Sequence, residues 1–404
     1  MRLPTIEKHD PLKCARNLCP LCMRSQAIGK VKNILEKESF FGNAPAPFVG
    51  RFNYPNINVG ILSNEEKDNW ITDAPKYWAE KNLSLYEVAN LRSSLINARF
   101  QTNIRQRHKL LDISKEVSMA EKPVEIEINL TQKPSFNMTF SNFTAPLGPV
   151  AKLKTANITS NQKIPTKVEK IVDDNYLKAH EGITYLYKHG FDENFISRIL
   201  SVGNLGVNVQ RRLVPTRWSI TSVDDSIGKD IINEIKQQEI IGEYLLFYGS
   251  HLGNHYFILL MPDVWSYELF ETHVDVKDEK DNLRYSTDYE SNFGRKNYAE
   301  NCAGGYYTVR LAILELLKKE KRQASCFVFR IIDETYTVPL GVWVTREAAR
   351  KAMQNKPINF ASREQALYYL RHQIAVKFGQ KIDNLINTSK VLSSIKQKKL
   401  IEFT

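Results

Sequence analysis

The sequence contains no apolar run that approaches the roughly 20 residues needed for a membrane helix. Its first residues, MRLPTIE, have the features of neither a signal peptide nor a transit peptide. No period of roughly 20–50 residues recurs, which argues against a solenoid of stacked repeats. The absence of a membrane helix, a signal peptide and a transit peptide predicts a cytoplasmic protein with no membrane partner.

Cysteine is scarce, since the 404 residues include only five, too few in a chain of this length for a disulfide framework. With 42% hydrophobic and 25% charged residues, the composition is that of a globular protein and argues against wholesale disorder. The net charge of +11 predicts a polyanionic partner. Charge alone does not separate a nucleic acid from a ribosome or an anionic membrane surface.

Helix and strand patterns are mixed along the chain, which predicts an α+β fold of helices and short sheets. Residues 84–100 have helical spacing and start with a capping box formed by Ser84 and Glu87. Alternating apolar residues predict a strand within 121–130, and paired strands are predicted at 244–248 and 255–261. A hairpin is predicted from 325–332 and 336–344. The predicted regions are a cysteine-rich finger at 1–30, a large N-terminal region at 31–273, a polar linker at 274–301, a smaller C-terminal region at 302–379 and a flexible tail at 380–404.

Three of the cysteines lie near the N-terminus with the spacing C-x4-C-x2-C. They are Cys14, Cys19 and Cys22. The C-x2-C pair forms the kind of turn that directs two thiolates at one tetrahedral ion, and His9 could supply the fourth ligand. Basic residues interleave with the cysteines, so a bound ion would hold a short cationic loop ready for phosphates. The pattern therefore predicts a zinc site.

Two other interpretations of these cysteines remain open. The three residues could be unrelated thiols near a chain terminus. Alternatively, plant-type ferredoxins hold an iron–sulfur cluster with the same spacing and a remote fourth cysteine, for which Cys302 or Cys326 is available.

At the C-terminus, a glutamine, an aliphatic residue and an aromatic residue recur at intervals of three. In a 3₁₀ turn, positions three apart eclipse, so Gln397, Leu400 and Phe403 would share one side. This is the pattern of a peptide (PIP box) that binds the DNA polymerase sliding clamp (PCNA), with Thr404 in place of its last aromatic residue. The frayed end of an amphipathic helix is the alternative. The complete predicted motif is Gln397, Lys398, Lys399, Leu400, Ile401, Glu402, Phe403 and Thr404.

Several longer blocks resemble the archaeal Nre family of DNA repair proteins. The blocks are 48–60 (FVGRFNYPNINVG), 91–95 (LRSSL), 211–225 (RRLVPTRWSITSVDD), and 304–307 (GGYY) with 310–312 (RLA). The resemblance implies a repair factor with an N-terminal cysteine finger and a C-terminal clamp-binding motif. The family's finger usually carries four cysteines, whereas this chain shows three.

The block at 211–225 contains the residues with the clearest chemical potential. Arg217 could bind a nucleotide phosphate, Asp224 and Asp225 could hold a divalent ion, and Ser219 adds a hydroxyl. The alternatives are a buried Arg–Asp network that stabilises the fold and an Asp-Asp helix cap. No motif of a known catalytic class accompanies these residues, so the sequence leaves open whether the protein is an enzyme.

Other polar residues are weaker candidates. Arg211 and Arg212 could contact DNA phosphates. His255 and Glu268 could join a site, although roles in a strand and in the core explain both. The pair Gly304-Gly305 precedes a helical pattern and could bind an anion there or allow close packing.

Three functions follow from these observations. The first is an accessory DNA repair factor that contacts DNA and is recruited to the nucleoid by the sliding clamp. The second is a metal- or nucleotide-dependent enzyme acting on nucleic acid, with Arg217, Asp224 and Asp225 in its site. The third is a scaffold that binds only protein. Recruitment through the tail is common to all three, and we favour the first because the family resemblance implies a repair factor.

Overall fold

The computed structural model describes residues 35–136, 138–277 and 283–394, together with residues 22, 28, 29, 32 and 33. The chain divides into two compact units. The first comprises Met1–Val223 and Thr337–Gly341, and the second comprises Asp224–Tyr336 and Val342–Thr404. Both units combine helices with sheets, so the predicted α+β class is confirmed.

A closed β-barrel forms the centre of the first unit. Its strands are β1 (Ser39–Val49), β2 (Asn56–Asn64), β3 (Ile96–Asn103), β4 (Val124–Leu130) and β5 (Val150–Ile158). The strands follow each other around the barrel in the order β1-β2-β3-β5-β4, and β1 closes the ring by pairing with both β2 and β4. Neighbouring strands are antiparallel except for β3 and β5, which are parallel.

Helices of the first unit connect and surround these strands. They are α1 (Pro75–Glu80), α2 (Leu85–Ser93), α3 (Lys109–Met119), α4 (Thr166–Asp173), α5 (Ala179–Lys188), α6 (Glu193–Ser201) and the first part of α7 (Thr216–Ile235). The predicted capping box is confirmed at the start of α2, where the Ser84 hydroxyl accepts from the Glu87 amide and the Glu87 carboxylate accepts from the Ser84 amide. None of the described helices combines the length and apolarity that crossing a bilayer requires.

The barrel core follows the alternation of its strands. The predicted strand is confirmed as β4, in which Val124, Ile126 and Ile128 point inward and are buried. Helix α3 lies in sequence between β3 and β4 and adds Leu111 and Val117 to the same core. Five strands in this order, with a helix between the third and fourth, have the topology of an oligonucleotide/oligosaccharide-binding (OB) barrel.

The second unit is built on a mixed sheet. Its strands are β6 (Glu239–Ile240), β7 (Tyr244–His251), β8 (Asn254–Met261), β9 (Ser266–Lys277), β10 (Leu283–Glu290), β11 (Arg322–Gln323), β12 (Ser325–Ile332) and β13 (Ile358–Phe360). Its remaining helices are α8 (Ala303–Glu320), α9 (Trp343–Gln354), α10 (Arg363–Phe378), α11 (Asp383–Thr388) and α12 (Lys390–Ser394). The order of the main sheet is β10-β9-β12-β8-β7-β13, while β6 and β11 form a separate parallel pair.

Strand β12 lies inside the main sheet, and every one of its residues is buried. It pairs antiparallel with β8 and parallel with β9, so the predicted hairpin between 325–332 and 336–344 is wrong in its second arm. Trp343 instead begins α9, whose Ala348 and Ala352 are buried. A short apolar run fits a strand and a buried helix equally well, which explains the error. The predicted pairing of 244–248 with 255–261 is confirmed by β7 and β8.

Residues 274–301 do not form the predicted polar linker. They include the end of β9 and all of β10, which pair antiparallel within the second unit. In β10 the buried residues are Leu283, Asp288 and Glu290, two of which carry carboxylates. The high average polarity of the segment therefore concealed a strand in which charged residues are buried.

The predicted flexible tail begins too early, because residues 383–394 are folded. Helix α10 ends before Gly379, which has a φ of 64°. Beyond it, α11 and α12 bury Leu385, Val391 and Leu392 in the core of the second unit. The scattered aliphatic residues of this segment are thus packing residues.

Gly42 provides a test of barrel closure. A Cβ at this position would lie 2.8 Å from the carbonyl carbon of Asn64, in the backbone of the adjoining strand. We expect Gly42→Ala to lower the free energy of unfolding by about 1–3 kcal/mol, because this backbone has no room to move. Urea denaturation followed by circular dichroism measures the change. Gly242→Ala is the control, because its Cβ would meet nothing within 4 Å. Equal stability of both variants would contradict the close approach.

Candidate functional site

The block at 211–225 begins with a segment that leads into helix α7, and it ends within that helix. The Leu213 amide donates to the Ile104 carbonyl (3.0 Å), and the Val214 amide donates to the Ser201 carbonyl (2.9 Å). The Val49 amide, at the end of β1, donates to the Thr216 hydroxyl (2.9 Å). These bonds attach the start of α7 to the ends of β1 and β3.

The two candidate DNA-contacting arginines have different surroundings. The Arg211 guanidinium donates to the carbonyls of Gly206, Val172 and Asp174, each at 2.7 Å. Burial lowers the pKa of Arg211 from its ordinary value. Its donors therefore hold two loops of the protein together, whereas Arg212 is exposed to solvent.

Arg217 and Ser219 are both engaged inside the first unit. The Arg217 guanidinium lies 3.2 Å from the centroid of the Phe143 ring, a cation–π contact. The Ser219 hydroxyl is fully buried, bonds to the Ser197 hydroxyl at 2.8 Å and donates to the Thr216 carbonyl at 2.9 Å. The serine hydroxyl is thus positioned to stabilise helix packing.

Asp224 and Asp225 both pair with cations of the second unit. Arg346 donates to the two carboxylate oxygens of Asp224, at 2.7 and 2.6 Å, and Asp224 is completely buried. Asp225 accepts from Arg310 at 2.7 Å and pairs with Lys229 at 2.7 Å. This arrangement agrees with the interpretation of the aspartates as part of a buried Arg–Asp network. No three His, Cys, Asp or Glu residues gather around a possible metal position among the residues that the structure describes.

Arg310 links this network to the sheet. It is fully buried and also donates to Glu290 on β10 at 2.8 Å. Burial by itself disfavours the charge on Arg310, but the carboxylates of Glu290 and Asp225 outweigh this effect and raise its pKa. The guanidinium is therefore a permanent charge whose partners are necessary for its burial.

His255 and Glu268 also have structural partners. The His255 ring bonds to the Tyr248 hydroxyl (2.9 Å) and to the Asp333 carboxylate (2.8 Å), which links β7, β8 and the segment after β12. Glu268 accepts from the Ser389 hydroxyl at 2.6 Å and from the amide of Val391 at 3.0 Å, and thereby caps α12. Burial raises the pKa of Glu268 despite these bonds.

The glycine pair lies in the first turn of α8 and is buried. A Cβ on Gly305 would lie 2.7 Å from a carboxylate oxygen of Glu271, which pairs with Arg330 at 2.6 Å. The anion near this helix end is therefore the protein's own carboxylate, and close packing accounts for the glycine.

The predicted metal and clamp motifs fall largely outside the described residues. His9, Cys14 and Cys19 lie there, as do all the residues of 397–404, and only Cys22 of the finger is described. Cys302 and Cys326 are buried in the second unit, and burial raises the pKa of both thiols, which disfavours the thiolate form that a cluster requires.

Sequence reasoning missed a group of exposed aromatic residues in the first unit. Trp218, in the first turn of α7, lies with its ring centroid 5.2 Å from that of Tyr54, and both side chains are exposed. The neighbouring Phe52 is exposed as well. The available signal was the pattern RFNY within the block at 48–60, which we used only for the family resemblance.

Comparison with known proteins identifies relatives along nearly the whole chain. The family models for the N-terminal and C-terminal parts of archaeal Nre proteins match residues 13–276 and 290–403. DNA repair protein NreB of Archaeoglobus fulgidus is 34% identical over 403 residues, which cover 98% of this chain and 99% of the relative.

Two proteins named DNA repair protein NreA also match. That of Archaeoglobus fulgidus is 36% identical over 361 residues, covering 88% of this chain and 90% of its own length. That of Haloferax volcanii is 34% identical over 340 residues, covering 81% of each chain. No solved structure matches this chain.

The buried pair of Asp224 and Arg346 predicts a large effect on stability. We expect Asp224→Ala to lower the free energy of unfolding by about 3–5 kcal/mol, because it removes a carboxylate that binds a buried guanidinium through both of its oxygens. Chemical denaturation followed by tryptophan fluorescence measures the change. Glu239→Ala is the control, since Glu239 is largely exposed in its pair with Arg322 and should contribute less than about 1 kcal/mol. If the two variants were equally stable, the network would not have this structural role.

Proposed function

Because this chain belongs to the archaeal Nre family, we propose that it acts in the repair of damaged DNA and is recruited there by the DNA polymerase sliding clamp. The observation that carries the repair role is the match to DNA repair protein NreB over 98% of the chain. In this proposal the protein works on DNA in the cytoplasm. Its excess of positive charge supports direct contact with phosphates.

The last eight residues are the proposed docking peptide for the clamp. Gln397, Leu400 and Phe403 would share one side of a 3₁₀ turn, with the two apolar side chains filling a pocket and the amide anchoring the turn. The described residues end in helix α12 at Ser394, three positions before Gln397 in the sequence.

The N-terminal cysteines are the proposed zinc site. Cys14, Cys19 and Cys22 would supply thiolates and His9 an imidazole, with zinc holding the intervening basic residues in one loop. This loop would add phosphate contacts to those of the folded units. The alternative of an enzyme centred on Arg217, Asp224 and Asp225 receives no support from the geometry, because both aspartates already hold arginines of the protein.

Loss of the apolar side chains should abolish docking. We expect Phe403→Ala and Leu400→Ala each to weaken binding to the clamp of the same organism by at least about tenfold, because each removes an anchor from a pocket. Isothermal titration calorimetry with the full-length protein measures the affinity. Tyr368→Ala is the control, since Tyr368 on α10 is also a highly exposed aromatic residue. Unchanged affinity in both tail variants would disprove docking through this peptide.

Metal content tests the finger. We expect about one zinc per chain in the purified protein and its loss in Cys19→Ser, because three ligands no longer fill a structural tetrahedral site. Inductively coupled plasma mass spectrometry measures zinc and iron together. Cys326→Ala, which changes a buried cysteine of the second unit, should retain the metal. Iron in place of zinc, or a protein without metal, would reject the zinc assignment.

A further inference from the structure

The loop between β1 and β2, residues 50–55, holds two aromatic rings in solvent. Phe52 is 71% exposed and Tyr54 is 42% exposed. Short backbone bonds fix the loop: the Gly50 amide donates to the Asn58 carbonyl and the Asn56 amide to the Asn53 carbonyl, both at 2.8 Å. The rings are therefore carried by a tight, well-defined turn.

Trp218 extends this aromatic surface. It is 45% exposed, and its ring lies 5.2 Å from that of Tyr54 with an interplanar angle of 57°. We call Phe52, Tyr54 and Trp218 the aromatic patch. The Arg51 guanidinium lies 4.6 Å from the centroid of the Phe52 ring. Large exposed rings mark a surface for recognition, because their burial by a partner releases water from apolar area.

The outer face of β2 and β3 continues from the aromatic patch as a polar surface. Asn56 lies opposite Asn103, and their side-chain amides bond at 2.9 Å. Asn58 lies opposite Gln101, and both are exposed. Asparagine and glutamine both donate and accept hydrogen bonds, as the edges of nucleobases do.

The segments that build this surface contain no carboxylate. Residues 50–63, 95–111 and 206–223 include eight lysines and arginines and no aspartate or glutamate. Backbone hydrogen bonds join these three segments. The Ile104 amide donates to the Pro55 carbonyl and the Leu213 amide donates to the Ile104 carbonyl, both at 3.0 Å. The exposed Arg105 and Arg212 are thus placed beside the loop that carries the aromatic patch.

Another face of the same barrel has the opposite character. Glu125 on β4 is exposed and Glu127 is half-buried, and the exposed Phe41 of β1 lies opposite Glu127. These carboxylates would repel a polyanion at β4, whereas β2 and β3 contain none.

We propose that the aromatic patch and the outer face of β2 and β3 bind single-stranded DNA. Unpaired bases would stack on Phe52, Tyr54 and Trp218, while Arg51, Arg105 and Arg212 would contact phosphates. A duplex keeps its base faces stacked internally, so it cannot use the rings in this way. The corresponding strands and loop of OB barrels bind oligonucleotides. This inference rests on the proposed DNA repair role and specifies its substrate as the single strand.

Fluorescence anisotropy with the full-length protein tests the proposal. The probes are a labelled oligothymidylate of about 20 nucleotides, which exceeds the site of one OB barrel, and a duplex and an oligouridylate of equal length. We expect Phe52→Ala and Tyr54→Ala each to weaken binding of the oligothymidylate by about tenfold. Phe41→Ala is the matched control, because it removes a ring that is 67% exposed on the same barrel, and it should bind like the unchanged protein.

The outcomes separate this inference from the proposed function. If Phe52→Ala and Tyr54→Ala bind the oligothymidylate as tightly as the unchanged protein does, the inference is overturned. The proposed contact with DNA would still stand in that case. Stronger binding of the duplex or of the oligouridylate would also overturn it. Absence of binding to any DNA would remove the proposed DNA contact itself, whereas clamp docking would still be measured independently.

Discussion

Closure of the β1–β5 barrel is the constraint on which the first unit depends. Strand β3 must pair antiparallel with β2 and parallel with β5, so its residues are fixed from both edges at once. Inward residues such as Val59 and Phe100 then fill the core, and outward residues are left to the surface. The loop that carries Phe52 and Tyr54 is attached at both ends to this closed frame, so its rings are presented without a large loss of conformational entropy on binding.

In the second unit, buried ion pairs have the comparable role. Arg310 and Arg346 are almost completely buried, and each is compatible with that environment only because carboxylates accompany it. Removing one carboxylate would weaken the compensation of a charge that is shielded from water. This requirement explains why Asp224 and Asp225, which look like metal ligands in the sequence, are occupied by arginines from distant positions.

Local features were predictable from the sequence, whereas long-range pairing was not. The capping box at Ser84 and the alternation in β4 depend on neighbouring residues, and both are present. The partner of Asp224 lies 122 residues away, so no local pattern could decide between a metal ligand and an ion pair. The segment that contains β10 was misread for a related reason, since its buried charges are explained only by partners such as Arg310.

The same limit applies to the block that carries the family resemblance. Arg217 and Trp218 are adjacent, yet successive residues on a helix point about 100° apart, so one stacks on Phe143 while the other reaches solvent beside Tyr54. A resemblance assigns the block to a family without separating residues that stabilise the fold from those available to a ligand. The burial of each side chain separates these two groups. The paired aspartates belong to the residues that stabilise the fold, and the exposed rings on the barrel belong to those available to a ligand.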